Sequence, residues 1–290
     1  MATTAPARQA ELAGYDVNRI GYGAMQLEHA DRDAAIALLR RAVELGVDHI
    51  DTAAFYGHGT VNGLLRDALH PYQDVVLVSK IGAVRRPDGL VAAQRPAELR
   101  AAVITNLREL GLDTVPVVNL RRTDRAPGIV ATGEQLVDLD SQLAELSAMR
   151  DEGLIGAIGL SQASPEQVRA ALPAGIVCVQ NLYNVLERDD EPTLDVCADA
   201  GIAYVPYFPL GSGFAGRSNV RADPTVNEVA AALSVTPSQV GMAWLLAHSP
   251  ATLVIAGTRD ERHLAENLEA AQVRLDADAL ATLDALAVRQ

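Results

Sequence analysis

The sequence predicts a single (β/α)8 barrel of the α/β class. Three observations carry that prediction. Eight short apolar runs rich in Val and Ile alternate with segments of helical period; glycine recurs where a helix must end before the next strand; and no linker or change of composition divides the 290 residues. Near-continuous apolar strands joined by helices mean a parallel sheet buried on both faces. Eight βα units in one unbroken series are read as a closed barrel. Residues 1–290 are therefore taken as one domain, with 1–16 as a poorly ordered segment or an N-terminal cap.

The units run in order. "NRIGYG" (18–23) leads to "DRDAAIALLRRAVELG", and "DHIDT" (48–52) to "VNGLLRDAL". "VVLVSK" (75–80) precedes "RPAELRAAVITNLRELG", and "VPVVNL" (115–120) precedes "GEQLVDLDSQLAELSAMRDEG". "GAIGLS" (156–161) is followed by "SPEQVRAAL", and "IVCVQN" (176–181) by "EPTLDVCADAG". "IAYVPY" (202–207) feeds "DPTVNEVAAAL" and "TPSQVGMAWLLAHS"; "TLVIAG" (252–257) feeds "RDERHLAENLEAAQ" and "DADALATLDALA". "SPEQ" supplies a Ser N-cap, Pro at the first helical position and Glu-Gln in the first turn. "LGL", "EGL" and "AGI" place Gly just past a helix end. A doubly wound sheet is the fallback, but its G-x-G-x-x-G phosphate fingerprint is missing; "GYGAMQ" lacks the third Gly and opens no helix.

Composition narrows the function. A net charge of -13 argues against nucleic acid or an anionic membrane as the main partner. Cys178 and Cys197 are the only cysteines, which makes neither a zinc site nor a disulfide framework. The N-terminus has no apolar h-region and the chain no run long enough to span a bilayer, so a cytoplasmic protein is expected.

In such a barrel the catalytic groups sit at the C-terminal ends of the strands. Lys80, at the end of "VVLVSK", is the only lysine among 24 cationic residues. Asp51 ends the preceding strand and Tyr56 lies in its loop. A carboxylate beside Lys80 would keep it charged and oriented. The ammonium would in turn pull the Tyr56 pKa below its usual value near 10. Tyr56 could then serve as general acid to a carbonyl and general base in reverse. Alternation along "VVNLR" puts Asn119 and Arg121 on one face.

Here the chain resembles the aldo-keto reductase family. "GVDHIDTAAFYGHG" with a following strand ending "SK" looks like the family signature. "GLIGAIGLSQAS", "VCVQNLYN", "YFPLGSG" and "VIAGTRDERHLAENLEA" resemble its later strand-end segments in order. The resemblance implies NADPH bound extended across the barrel mouth and a direct hydride transfer to a carbonyl. It implies catalytic positions at Asp51, Tyr56 and Lys80, and cofactor-binding positions that include Asp51 with Gly23 and Met25 at the first strand end. Ser161, Gln162 and Gln180 would hold the nicotinamide amide, with Gln162 where Asn is usual. Tyr207 would stack on the ring, Leu210 and Ser212 cover the pyrophosphate, and Gly257, Thr258, Arg259, His263, Glu266 and Asn267 grip the adenosine end. Arg259 favours a 2′-phosphate, hence NADP over NAD.

One departure stands out. The family usually carries a catalytic His at the fourth strand end, where this sequence has Arg121; no His occurs between His70 and His248. A guanidinium can donate to a carbonyl oxygen, pair with an acidic substrate group, or pair with a neighbouring carboxylate. The "VNLR" segment resembles a bacterial subgroup with pyridoxal-reducing members, so a small pyridoxal-like aldehyde is one candidate substrate. With only three Phe and one Trp, a fairly open, polar site is expected. Two rival functions are a Schiff-base enzyme using Lys80 and a cofactor-bound regulatory or sensor protein. A monomer or weak oligomer is expected.

Overall fold

The computed structural model describes residues 9–126, 128–211 and 218–286. All eight expected strands are present: β1 Ile20–Gly23, β2 His49–Asp51, β3 Val76–Ile81, β4 Val115–Arg121, β5 Ile155–Ser161, β6 Ile176–Gln180, β7 Ala203–Tyr204 and β8 Val254–Ala256. They are hydrogen-bonded in parallel in the order β7-β6-β5-β4-β3-β2-β1-β8. The ring closes between its two ends by a parallel bridge from Tyr204 to Thr252. Tyr204 N donates to Ala251 O (2.8 Å) and Leu253 N to Tyr204 O (2.9 Å).

Among the described residues ten helices cover the outside: α1 Arg32–Glu44, α2 Thr60–Leu69, α3 Pro96–Leu110, α4 Leu139–Asp151, α5 Pro165–Ala171, α6 Glu191–Ala200, α7 Pro224–Leu233, α8 Pro237–His248, α9 Glu261–Glu269 and α10 Ala277–Asp284. Their ends follow the local chemistry. Ser164 and Thr236 form capping boxes with Gln167 and Gln239. Gly111 and Gly201 take the left-handed conformation that a stop before a strand needs. Helix α4 starts later than its sequence period suggests. Gly133–Gln135 is a separate 3₁₀ turn, and the Asp138 carboxylate accepts from Ser141 N (2.7 Å), fixing the start at Leu139. Among the described residues no single helix is long and apolar enough to cross a membrane.

Two cores follow from strand alternation. Outward residues such as Ile50, Leu77, Val118 and Ile158 pack under the helices, with Trp244 fully buried in the larger cluster. Inward residues Val76, Val78, Val117, Cys178, Val205 and Ile255 fill the barrel. That interior also contains Leu12 and Val17, from an antiparallel hairpin of Gln9–Leu12 and Tyr15–Asn18. Its turn, Ala13-Gly14, has both residues at positive φ (56° and 83°), the twist a two-residue hairpin favours. A second hairpin, Ala83–Arg86 with Gly89–Ala92, leaves β3 at the opposite, C-terminal face. Neither hairpin was expected from the sequence pattern.

Candidate active site

Asp51 and Lys80 point into the barrel from adjacent strand ends and are 4% and 6% exposed. The Lys80 ammonium donates to Asp51 Oδ1 (2.5 Å), the Tyr56 hydroxyl oxygen (3.1 Å) and the Thr52 carbonyl (3.4 Å). Its three protons are thereby assigned. The second Asp51 oxygen accepts Gln180 Nε2 from across the barrel at 2.9 Å. Tyr56 is carried by a turn in which Gly57, His58 and Gly59 all have positive φ. That turn is tied down by Gly57 N donating to Glu28 Oε2 (2.9 Å). Because Tyr56 accepts from Lys80, its own proton can be directed outward.

The electrostatics correct one expectation. Burial pushes the Tyr56 hydroxyl up, and it ends above its ordinary value even though the Lys80 charge pulls it down; Asp51 pushes the same way as burial, and the Lys80 hydrogen bond and Arg121 oppose it. The phenol is therefore held protonated rather than made more acidic. For Lys80, burial would depress the ammonium, but the Asp51 and Tyr56 charges and the hydrogen bonds it donates to both leave it raised. Beneath them, burial pushes the Cys178 thiol up to about 12, and its Sγ donates to Asn119 Oδ1 (3.2 Å).

Arg121 ends β4, half-buried, and its charge reaches Tyr56. Its backbone carbonyl accepts Gln94 Nε2 (2.8 Å). Among the described residues its guanidinium has no hydrogen bond or ion pair, so the neighbouring-carboxylate pairing weighed from sequence is not observed. The mouth is less polar than expected: Leu90 of the second hairpin and Ile129 of the loop after β4 pack on the Ala53–Phe55–Ala83 cluster beside Tyr56.

A cleft runs outward from this group. A cavity of about 230 Å³ is lined by Gly23, Met25, Asp51, Tyr56, Tyr207, Leu210 and Gly257. A second, of about 430 Å³, is lined by Thr258, Arg259 and His263, and Gln26 borders both. Gly257 is required at the join, since a Cβ there would lie 2.6 Å from the Gly23 carbonyl. Arg259 is positioned by donating to the His29 carbonyl (3.1 Å). Thr258 is anchored through its hydroxyl, which accepts from Asp260 N (3.1 Å) at the start of α9.

The other expected residues distribute unevenly. Ser161 and Gln180 are register partners on β5 and β6, both buried. Gln180 Oε1 is buried without a partner. Tyr207 donates its hydroxyl to Gln162 Oε1 (2.5 Å), and Gln162 takes a positive φ of 61°. The structure does not bring Glu266 or Asn267 to either cavity wall; Asn267 is buried on α9 and Glu266 faces Arg262 at 3.9 Å. Ser212 lies outside the described residues. Sequence reasoning missed Gln26, whose Nε2 donates to Gly257 O (3.1 Å), and Arg221, which lines the inner cavity. Nothing in the sequence separates either from an ordinary surface residue.

Comparison with known proteins shows the family. The family model described as Aldo/keto reductase family matches residues 19–288. The chain is 46% identical over 280 residues to pyridoxine 4-dehydrogenase of Escherichia coli K12, covering 93% of this chain and 95% of that protein. It is 36% identical over 279 residues to an uncharacterised oxidoreductase of Schizosaccharomyces pombe, covering 92% and 86%. Its fold matches an aldo-keto reductase from Klebsiella pneumoniae, solved in complex with NADPH, with a TM-score of 0.81 at 24% identity over 97% of this chain and 95% of that one. With a family model spanning all eight barrel strands and a relative 46% identical over nearly its full length, the chain belongs to the aldo/keto reductase family.

Proposed function

We propose that this chain is an NADPH-dependent oxidoreductase that reduces the aldehyde of pyridoxal-type substrates and oxidises the corresponding alcohol in reverse. The single observation that carries the reading is the Lys80 ammonium, which donates to both Asp51 and Tyr56 at the inner end of a cleft that ends at Arg259. The 46% identity to pyridoxine 4-dehydrogenase supports the substrate class.

The residues present suit a long dinucleotide. Gln180 Oε1, buried and unpartnered, is an acceptor that an amide N–H would satisfy, with Ser161 beside it. Tyr207, Leu210 and Gly257 would flank the middle, and Arg259 and His263 would hold the phosphate-bearing far end. Bound NADPH supplies the hydride. Tyr56, kept protonated by its burial, gives its proton to the carbonyl oxygen as the hydride reaches the carbon. The phenolate left behind faces the Lys80 ammonium, whose charge Asp51 maintains. Arg121 is free to pair with an ionised ring hydroxyl beside the aldehyde, or to donate to the carbonyl oxygen.

The Schiff-base reading needs a neutral amine. Lys80 is buried, ion-paired and raised, which opposes it. The deciding experiment follows NADPH and NADH oxidation with pyridoxal, other small aldehydes and ketones. Pyridoxal-dependent oxidation with NADPH preferred is expected. Tight NADPH binding with no turnover across the panel would replace this reading by the sensor one, and borohydride trapping of substrate on Lys80 would replace it by the Schiff-base one.

A further inference from the structure

Behind the catalytic strand ends, on the helix side of the sheet, four polar side chains meet without any exposure: Thr52, Asn62, Ser79 and Asn106. Thr52 follows Asp51 and Ser79 precedes Lys80, so alternation sends the hydroxyls outward where the charged pair points inward. The Thr52 hydroxyl donates to Asn62 Oδ1 (2.8 Å), and Asn62 Nδ2 donates to Asn106 Oδ1 (3.0 Å). The Ser79 hydroxyl donates to the same Asn106 oxygen (2.6 Å). One oxygen on α3 thus collects β2 and β3 together. Asn106 Nδ2 is spent on the Ala102 carbonyl (2.9 Å), which fixes its amide orientation.

The network also reaches the Tyr56 turn. Asn62 Nδ2 donates to Glu109 Oε2 (3.0 Å), and Glu109 Oε1 stands 2.4 Å from where a Cβ on Gly59 would be. Gly59, at φ 85°, closes the turn that carries Tyr56, a conformation that favours glycine, and a Cβ there would displace the Glu109 carboxylate from this approach.

We propose that Thr52, Asn62, Ser79, Asn106 and Glu109 form a positioning network that fixes Lys80 against Asp51 and Tyr56 from the far side of the sheet; this rests on the general-acid reading of Tyr56 given above. Apolar packing alone would bury the strands but would not set their mutual register to the fraction of an ångström that three ammonium hydrogen bonds require. The fully buried Thr52, Asn62, Ser79 and Asn106 side chains, hydrogen-bonded to one another, do set it. Misplacement of about 1 Å in a reacting group costs on the order of 100-fold in rate.

The test uses the full-length protein with NADPH and pyridoxal. Thr52→Val and Ser79→Ala each remove one donor, and the double variant removes both. Each single variant is expected to lower kcat about 10-fold, a part of the cost of full misplacement, with the NADPH dissociation constant within two-fold and the pH profile of kcat displaced. The double variant is expected to lose less than the product of the two, since both act through Asn106. Thr52→Ser, which keeps the hydroxyl, restores kcat and guards against a mere folding defect. Folded variants with unchanged kcat and pH profile, or with kcat and NADPH binding lost together, would overturn the proposal. If Tyr56→Phe retains full turnover it is the general-acid reading that fails; if Tyr56→Phe is inactive while these variants are normal, only the network fails.

Discussion

Gln180 reaches from β6 across the barrel to Asp51 and donates Nε2 to its Oδ2 at 2.9 Å, so both oxygens of the carboxylate that holds Lys80 are engaged. A doubly engaged, nearly buried carboxylate keeps its ammonium partner in one place. Several outcomes rest on that arrangement.

Lys80→Met should abolish turnover and destabilise the protein by about 3–5 kcal/mol, because Asp51 is left as an uncompensated buried charge. Lys80→Arg should also fail in turnover, since a planar fork cannot reproduce contacts to Asp51, Tyr56 and Thr52 from a single point. Urea unfolding with steady-state kinetics reads both. The pH sign is defined. The Lys80 pKa is raised on folding, so its stabilisation is complete below the ordinary value of 10.5 and is lost as pH rises through the folded value. Lys80→Met should flatten that alkaline loss.

Tyr56→Phe should cut carbonyl reduction by at least about 100-fold, the usual share of a positioned general acid, and leave NADPH affinity within a few-fold. Because Tyr56 lies above its ordinary 10.0, kcat/KM for reduction should stay level from neutral pH to about 10 and fall only beyond it. A fall centred near neutral pH would remove Tyr56 as the donor.

Arg121→Ala should raise KM for pyridoxal about 10-fold or more, the worth of a charge-assisted hydrogen bond. An aldehyde without an ionisable ring hydroxyl should be affected far less. Equal effects on both would make Arg121 a donor to the carbonyl oxygen alone.

Arg259→Ala should weaken NADPH about 10-fold while NADH changes little, if its guanidinium meets a 2′-phosphate. Fluorescence titration with the two cofactors decides it, and parallel losses would count against that contact.

The sequence disclosed what depends on local order. Strand periods, helix stops and the residue types at strand ends located Asp51, Tyr56, Lys80 and Arg121 at one barrel face. What it hid depends on pairings between distant segments. The Gln180 bond to Asp51 joins residues 129 apart, and Asn106 reads in sequence as one more polar residue on a helix. The misjudged Tyr56 acidity has the same origin. Tyr56 packs on the Ala53–Phe55–Ala83 cluster, which Leu90 and Ile129 also cover, and Leu90 belongs to a hairpin that the strand pattern did not reveal. Helix α4 was misplaced at its start because Asp138, an unremarkable acid in the sequence, outcompetes the preceding turn as a cap.

The barrel is unevenly fastened, and this has a mechanical consequence. Between β3, β4 and β5 the ladders are long, whereas β7 has two residues and meets the segment leading into β8 through a single bridge from Tyr204 to Thr252. Local opening costs least where the fewest backbone bonds break. Tyr207 and Leu210 follow β7, and Gly257 follows β8, so the least-bonded joint of the ring lies under the cavity that these residues line. Local opening at that joint is therefore expected to move the walls of this cavity before it disturbs the long ladders of β3, β4 and β5.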